Sequence, residues 1–363
     1  MRIIKILVAM SAMLICGVQG SKADNQAYVP ASDANILYSG RISWKNPESP
    51  AFTYPGVSAE FMFEGSTVGM GAKPGSGYFM VEIDDELPFK VHFAENDSVL
   101  ILAGGLDFGV HRVKVVYAVE GYDFKPEFRG FYIDSVGKML PCPVRPERKI
   151  EFIGNSMMCG YGIEADNGKE DFSFATENHY YSFAAQAARM LKADYNAMIR
   201  SGYGVYRNYG GPRSGSDNCI PNLYDRTLFY DAEEKWDFAS FRPDVVCVNL
   251  GTNDMSLGNY DMSLLKEAYL KFVKRLRGYY PESKIVMLTG CMLTGQRLAD
   301  VKKVLDEVVA EINAGGDNEV YRFDKYPQTG ELGYGADFHP SRRQANKMAK
   351  ELSTYLAKIT GWK

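Results

Sequence analysis

The sequence predicts an α/β protein in two parts: an N-terminal antiparallel β-sandwich of jelly-roll type over residues 28–145, then a three-layer α/β/α domain with a parallel sheet over residues 146–363. Three observations predict it. At roughly 150 residues per domain, a chain of 363 residues favours two domains. Short alternating runs fill the first part, whereas apolar runs alternating with helical patterns fill the second. Between them Pro141-Cys142-Pro143-Val144-Arg145-Pro146 forms a stiff connector, because proline fixes φ and pushes the preceding residue out of the helical region.

In the first part Ala59, Phe61 and Phe63 alternate with Glu60 and Met62, and Val113 and Val115 alternate with Arg112 and Lys114. Turn residues punctuate the runs at Pro74-Gly75-Ser76-Gly77, Asp84-Asp85 and Glu120-Gly121. Many short strands at this spacing indicate a sandwich. In the second part, 150–153, 245–250, 285–288 and 320–323 read as buried strands, with helices expected over 180–191, 264–276, 298–312 and 342–356. Buried strands alternating with helices imply a parallel sheet covered on both faces, and function in such folds sits at the carboxyl ends of the strands.

Composition narrows the class. With 46% hydrophobic and 24% charged residues, the chain has the make-up of a folded soluble protein, not of a disordered, collagenous or multi-span membrane protein. The 41 Lys+Arg against 45 Asp+Glu give a net charge of −4 without a long basic run, which argues against nucleic acid as a partner. Residues 1–20 combine Arg2 and Lys5, the apolar run Ile6 to Cys16 and a small-residue end at Gly20. This is the pattern of a secretory signal, so a secreted or periplasmic location is expected, with no transmembrane segment after its removal. A lipoprotein attached through Cys16 is the less favoured variant, since Ile15 stands where a small residue is preferred. Removal would leave Cys142, Cys159, Cys219, Cys247 and Cys291, an odd number without a C-x-x-C pair, so no metal site is expected from them.

Four segments carry chemistry. Ser156 directly follows the strand at 150–153 in Gly154-Asn155-Ser156, where a nucleophile would be presented, although the tripeptide alone reads equally as a turn. Gly202, in Arg200-Ser201-Gly202-Tyr203-Gly204, offers a backbone amide or a plain turn. Asn253, in Gly251-Thr252-Asn253-Asp254, offers an amide donor to an oxyanion, or a helix cap shared with Asp254. Histidine is scarce, four in the chain, so a serine nucleophile here has only His339 or His179 as its base. His339 is favoured, because His179 precedes a helix and reads as a cap or surface residue.

Taken together and in this order, the four segments resemble the SGNH, or GDSL-type, hydrolase superfamily over residues 149–363. That resemblance implies Ser156 as nucleophile, His339 as general base, and an oxyanion hole from the Ser156 amide, the Gly202 amide and the Asn253 side chain. The preceding sandwich, with Gly40-Arg41 and Tyr54-Pro55-Gly56-Val57-Ser58, and the blocks Phe152-Ile153-Gly154-Asn155-Ser156, Trp236-Asp237-Phe238 and Arg242-Pro243-Asp244 look like carbohydrate esterase family two. The resemblance implies removal of acetyl groups from xylan or mannan, an acetylated glycan as partner and no cofactor. Two positions depart from the superfamily pattern. Asn155 replaces the usual aspartate, and Ala336 stands three residues before His339, where the triad acid belongs. Asp337 lies two before it, so a Ser-His dyad is expected, with Asp337 retained as a candidate third member. Tyr161, Tyr203 and Tyr206 are the candidates for sugar contact. The same groups would also serve another secreted esterase, a lipase or a sugar O-acetyltransferase, and an inactive domain would leave a carbohydrate-binding protein.

Overall fold

The computed structural model describes residues 26–363. The expected signal segment 1–20, with Cys16, lies outside the described residues. The first sheet is eight-stranded and antiparallel. It runs in the order Gln26–Val29, Phe128–Asp134, Ser58–Ala72, Val99–Tyr117, Gly77–Ile83 and Phe89–Phe93. Leu37–Ser39 and Lys138–Met139 also pair with Ser58–Ala72. Register shifts between Gly65 and Thr67 and between Val68 and Gly69 interrupt the central pair. An inserted residue bends a strand. Ser58–Ala72 accordingly meets Leu37–Ser39 with its first residues and Phe128–Asp134 with its last. The sheet closes over a core in which Phe52, Phe61, Phe63, Phe79, Phe93 and Phe128 are fully buried. Each such ring contributes on the order of 2 kcal/mol through burial. Glu60, on the alternate face, is also buried, and its charge is met by Arg112 and Lys114.

The second sheet is parallel. Its strands are β1 (Lys149–Gly154), β2 (Asp194–Ile199), β3 (Val245–Asn249), β4 (Lys284–Leu288) and β5 (Val320–Phe323), in the spatial order β2-β1-β3-β4-β5. Order reverses beside β1, which makes its carboxyl end a switch point where doubly wound sheets bind ligands. A single turn, α1 (Ser156–Cys159), follows β1. One face of the sheet packs against α2 (Phe183–Met190) and the last helix, the other against α3 (Met262–Tyr279) and α4 (Gly295–Ala314); the last helix is α5 (Arg342–Thr360). Ile150 and Phe152 enter the first core and Ile153 the second, so β1 is apolar on both sides. The helix expected from residue 180 starts at Phe183, because Ser182 Oγ caps it by accepting from the Ala185 amide at 3.3 Å. Residues 179–181 form a separate 3₁₀ turn.

The two sheets are joined through polar contacts. Arg41 and Glu151 are fully buried and paired at 2.8 Å, and the Tyr224 hydroxyl donates to the second Glu151 oxygen at 2.6 Å. Arg41 Nη1 also donates to the Arg226 carbonyl at 3.1 Å, while its Nε is buried without a partner among the described residues. No helix among the described residues is long and apolar enough to cross a membrane. The five cysteines among the described residues are free thiols, four of them buried.

Candidate active site

Register sets the site. Gly154, the last residue of β1, lies opposite Ile199 of β2 on one side and Asn249 of β3 on the other. The segments that follow those three residues therefore leave the sheet at one level, and they carry Ser156, Gly202 and Asn253. Ser156 opens α1, with Asn155 as its extended N-cap and Gly160 closing the turn at φ 77°. As the first helical residue, Ser156 has an amide that no helical carbonyl can reach.

His339 arrives from the far end of the chain. Its Nε2 lies 2.8 Å from Ser156 Oγ, and its Nδ1 lies 3.1 Å from the Ala336 carbonyl oxygen. A carbonyl only accepts, so Nδ1 carries the proton and Nε2 presents its lone pair to the serine hydroxyl. The turn that arranges this is tight: Asp337 and Phe338 take φ of 49° and 57°, rare for side-chain-bearing residues. Gly162 makes room, since a Cβ there would stand 2.2 Å from that of Ala336. Burial pushes the His339 imidazole below its ordinary range, while the bond to Ala336 pulls the other way.

Asp337 points elsewhere. Its carboxylate accepts from the Tyr161 hydroxyl at 2.8 Å. The Tyr161 ring stacks between Phe172, with centroids 4.1 Å apart, and His339, at 4.2 Å. Both faces of the ring are thus occupied, and Tyr161 buttresses the imidazole instead of offering a platform to a sugar. Tyr206 is the second of the expected sugar contacts. It is buried, and its hydroxyl accepts from the Asp261 amide at 2.7 Å. Tyr203 is half-buried against Phe229. The exposed ring of this loop is Tyr209, whose amide donates to the Gly202 carbonyl at 2.8 Å.

His179 also departs from its expected surface or capping place. It is fully buried, with Nδ1 at 2.7 Å from the Met158 carbonyl and Nε2 at 3.1 Å from the Tyr195 hydroxyl, while Asn178 is the actual cap. Asn253 Nδ2 donates to the Tyr203 carbonyl at 2.8 Å, which ties the β3 loop to the Gly202 loop. Its neighbour Asp254 is a tie that residue-by-residue reading missed. The buried carboxylate accepts from the amides of Val205, Tyr206, Arg207 and Gly251 at 2.9–3.0 Å. Only the fold brings those amides together, so the sequence carries no local sign of them.

A strand end bearing a serine, a histidine on its hydroxyl and a sandwich in front of both narrow the comparison with known proteins. A model of the carbohydrate esterase 2 N-terminal domain matches residues 38–143, and a GDSL-like lipase/acylhydrolase model matches residues 150–352. The chain belongs to carbohydrate esterase family two. This esterase is 36% identical over 330 residues to the cellulase/esterase CelE of Acetivibrio thermocellus, a match that covers 90% of this chain and 40% of that one. It thus spans less than half the length of that relative. It is 28% identical over 337 residues to an acetylxylan esterase / glucomannan deacetylase of Cellvibrio japonicus, covering 92% and 91% of the two chains. The solved structure of a family two carbohydrate esterase from Clostridium thermocellum in complex with cellohexaose is similar at TM-score 0.85 and 35% identity, over 90% of this chain and all of that one. Its family thereby makes the chain a carboxylic-ester hydrolase of carbohydrates.

Proposed function

We propose that the esterase is exported and removes O-acetyl groups from plant cell-wall polysaccharides, xylan and mannan or glucomannan, with Ser156 and His339 as a catalytic dyad. The observation that carries this reading is the 2.8 Å contact between Ser156 Oγ and a His339 Nε2 left unprotonated by the Ala336 carbonyl. In the first half of the reaction His339 takes the hydroxyl proton as Ser156 Oγ attacks the acetyl carbonyl. The tetrahedral oxyanion is met by the Ser156 and Gly202 amides and by Asn253, whose Nδ2 spends one hydrogen on Tyr203 and retains the second. His339 then gives its proton to the departing sugar hydroxyl. In the second half, water activated by the same imidazole resolves the acetyl-serine, and acetate leaves. The names of the Cellvibrio relatives, acetylxylan esterase / glucomannan deacetylase, support acetylated xylan and glucomannan as substrates. Asp337 stands outside this relay, since its carboxylate is engaged by Tyr161.

Acetate release by the purified protein across acetylated xylan, glucomannan and pectin tests the reading. Release from the first two, lost in Ser156→Ala, is the expected result. Release by Ser156→Ala at the wild-type rate would remove the serine mechanism, and activity confined to lipid esters would remove the substrate class.

A further inference from the structure

We infer that Glu120, a residue of the sandwich, is a positioning residue for the oxyanion loop of the neighbouring domain. The inference rests on the catalytic reading proposed above. Glu120 follows the strand Val99–Tyr117 and is almost fully buried. Its Oε1 accepts from the Ser201 amide at 2.8 Å and from Arg200 Nη1 at 3.1 Å. Ser201 directly precedes Gly202, so this bond fixes the Arg200–Ser201 peptide, the one immediately before the peptide that carries the Gly202 amide. Gly202 itself sits at φ 80°, where backbone direction is set by little else than its neighbours.

The grip extends beyond one bond. Tyr122, two residues further along the sandwich loop, holds the Arg200 guanidinium against its ring with the centroid 3.0 Å away. The Glu120 amide donates to Glu177 Oε2 at 3.1 Å, and the His179 amide donates to the Ala118 carbonyl at 2.7 Å. Glu177 is fully buried, with the Glu120 carboxylate beside it, and burial followed by that charge raises its carboxyl well above the ordinary range. Of the two carboxyls, the Glu120 one faces Arg200, at 3.1 Å. Cys159 lies against the same pair; burial first, and then the two carboxyls, keep its thiol protonated. Sandwich residues thus hold the entry to the Gly202 loop, while Tyr209 and Asn253 of the hydrolase domain hold the Gly202 and Tyr203 carbonyls.

Three variants test the role by what each keeps. Glu120→Gln keeps an acceptor oxygen for the Ser201 amide, and its new amide group donates to Glu177. Glu120→Asp keeps the charge but withdraws the oxygen from Ser201, and Glu120→Ala removes both. On p-nitrophenyl acetate, which makes no glycan contacts, kcat is expected within about threefold of wild type for Gln, lower for Asp, and down about 10- to 100-fold for Ala, below the loss from deleting an oxyanion donor outright. KM should stay within about twofold. Affinity for a boronic acid, whose tetrahedral adduct places an oxygen in the hole, should fall in step with kcat. A merely structural role would lower the melting temperature without this parallel. An order in which Asp equals or exceeds Gln, or kcat preserved in Ala, overturns the inference. If Ala does not fold, the Gln and Asp order alone decides it. Ser156→Ala in the same assay separates the two readings. Its inactivity alongside unimpaired Glu120 variants sinks only the positioning role, whereas its activity sinks the serine mechanism on which that role rests.

Discussion

His179 opens a 3₁₀ turn and His339 follows one, yet the two imidazoles are held in the same way. Each sets its Nδ1 proton on a backbone carbonyl, that of Met158 or that of Ala336, and so each leaves Nε2 as the acceptor. They differ in what Nε2 meets. At His179 it is the Tyr195 hydroxyl in a fully buried pocket, and at His339 it is the hydroxyl of Ser156 at a strand end. A fixed tautomer is therefore common to both, and position beside Ser156 at the switch point of the sheet distinguishes His339, the proposed base, from His179. A backbone carbonyl suffices to hold the tautomer, which is why Ala336 can occupy the place of a triad acid.

The comparison can be broken first at the site. Ser156→Ala and His339→Ala should each lower kcat/KM for acetylated xylan by about 10³-fold or more, because the dyad acts as a unit. Acetate-release kinetics check this. His179→Gln should leave kcat within about threefold, yet cost on the order of 1–3 kcal/mol of stability through a buried unsatisfied partner, read by denaturant unfolding.

Acid sharpens the contrast. Burial pushes His179 down to about 4 in the folded chain from 6.5, so the unfolded chain binds more protons between those values. Its contribution to stability is full above 6.5 and is lost as the pH falls toward 4, about 3 kcal/mol in all. A flatter pH dependence of unfolding in His179→Gln than in wild type is the expected result. For His339 the same cause acts on rate: kcat/KM should rise through an apparent pKa below 6.5, where the imidazole becomes neutral. Asp337→Asn should lose less than about tenfold, because the carboxylate accepts from the Tyr161 hydroxyl while His339 Nδ1 is held by the Ala336 carbonyl. A loss equal to that of His339→Ala would make Asp337 a triad acid.

Much of this was legible in the sequence, for physical reasons. The buried strands are continuous apolar runs, and the change of texture at Pro141 to Pro146 marks two kinds of sheet. Ser156, Gly202 and Asn253 could be placed together because each follows a strand end, and parallel register does the rest. His179 could not be read correctly, since its burial depends on Ala118, Met158 and Tyr195, which are remote in the chain. The surroundings of Tyr161 and Tyr206 were out of reach for a similar reason: a ring's free face depends on its neighbours, Phe172 and His339 in one case and the α3 N-terminus in the other. Glu120 lay in a segment that reads only as a turn between strands, and its link to Ser201 exists only once the two domains meet.

The central claim is that Ser156, served by His339, receives the acetyl group. Rapid quenching of the esterase with acetylated xylo-oligosaccharide, followed by mass spectrometry of its peptides, tests this most directly. An acetyl group on the peptide that contains Ser156, absent when His339 is replaced by alanine, is the predicted result. Acetate released in a pre-steady-state burst while Ser156 stays unmodified would contradict it.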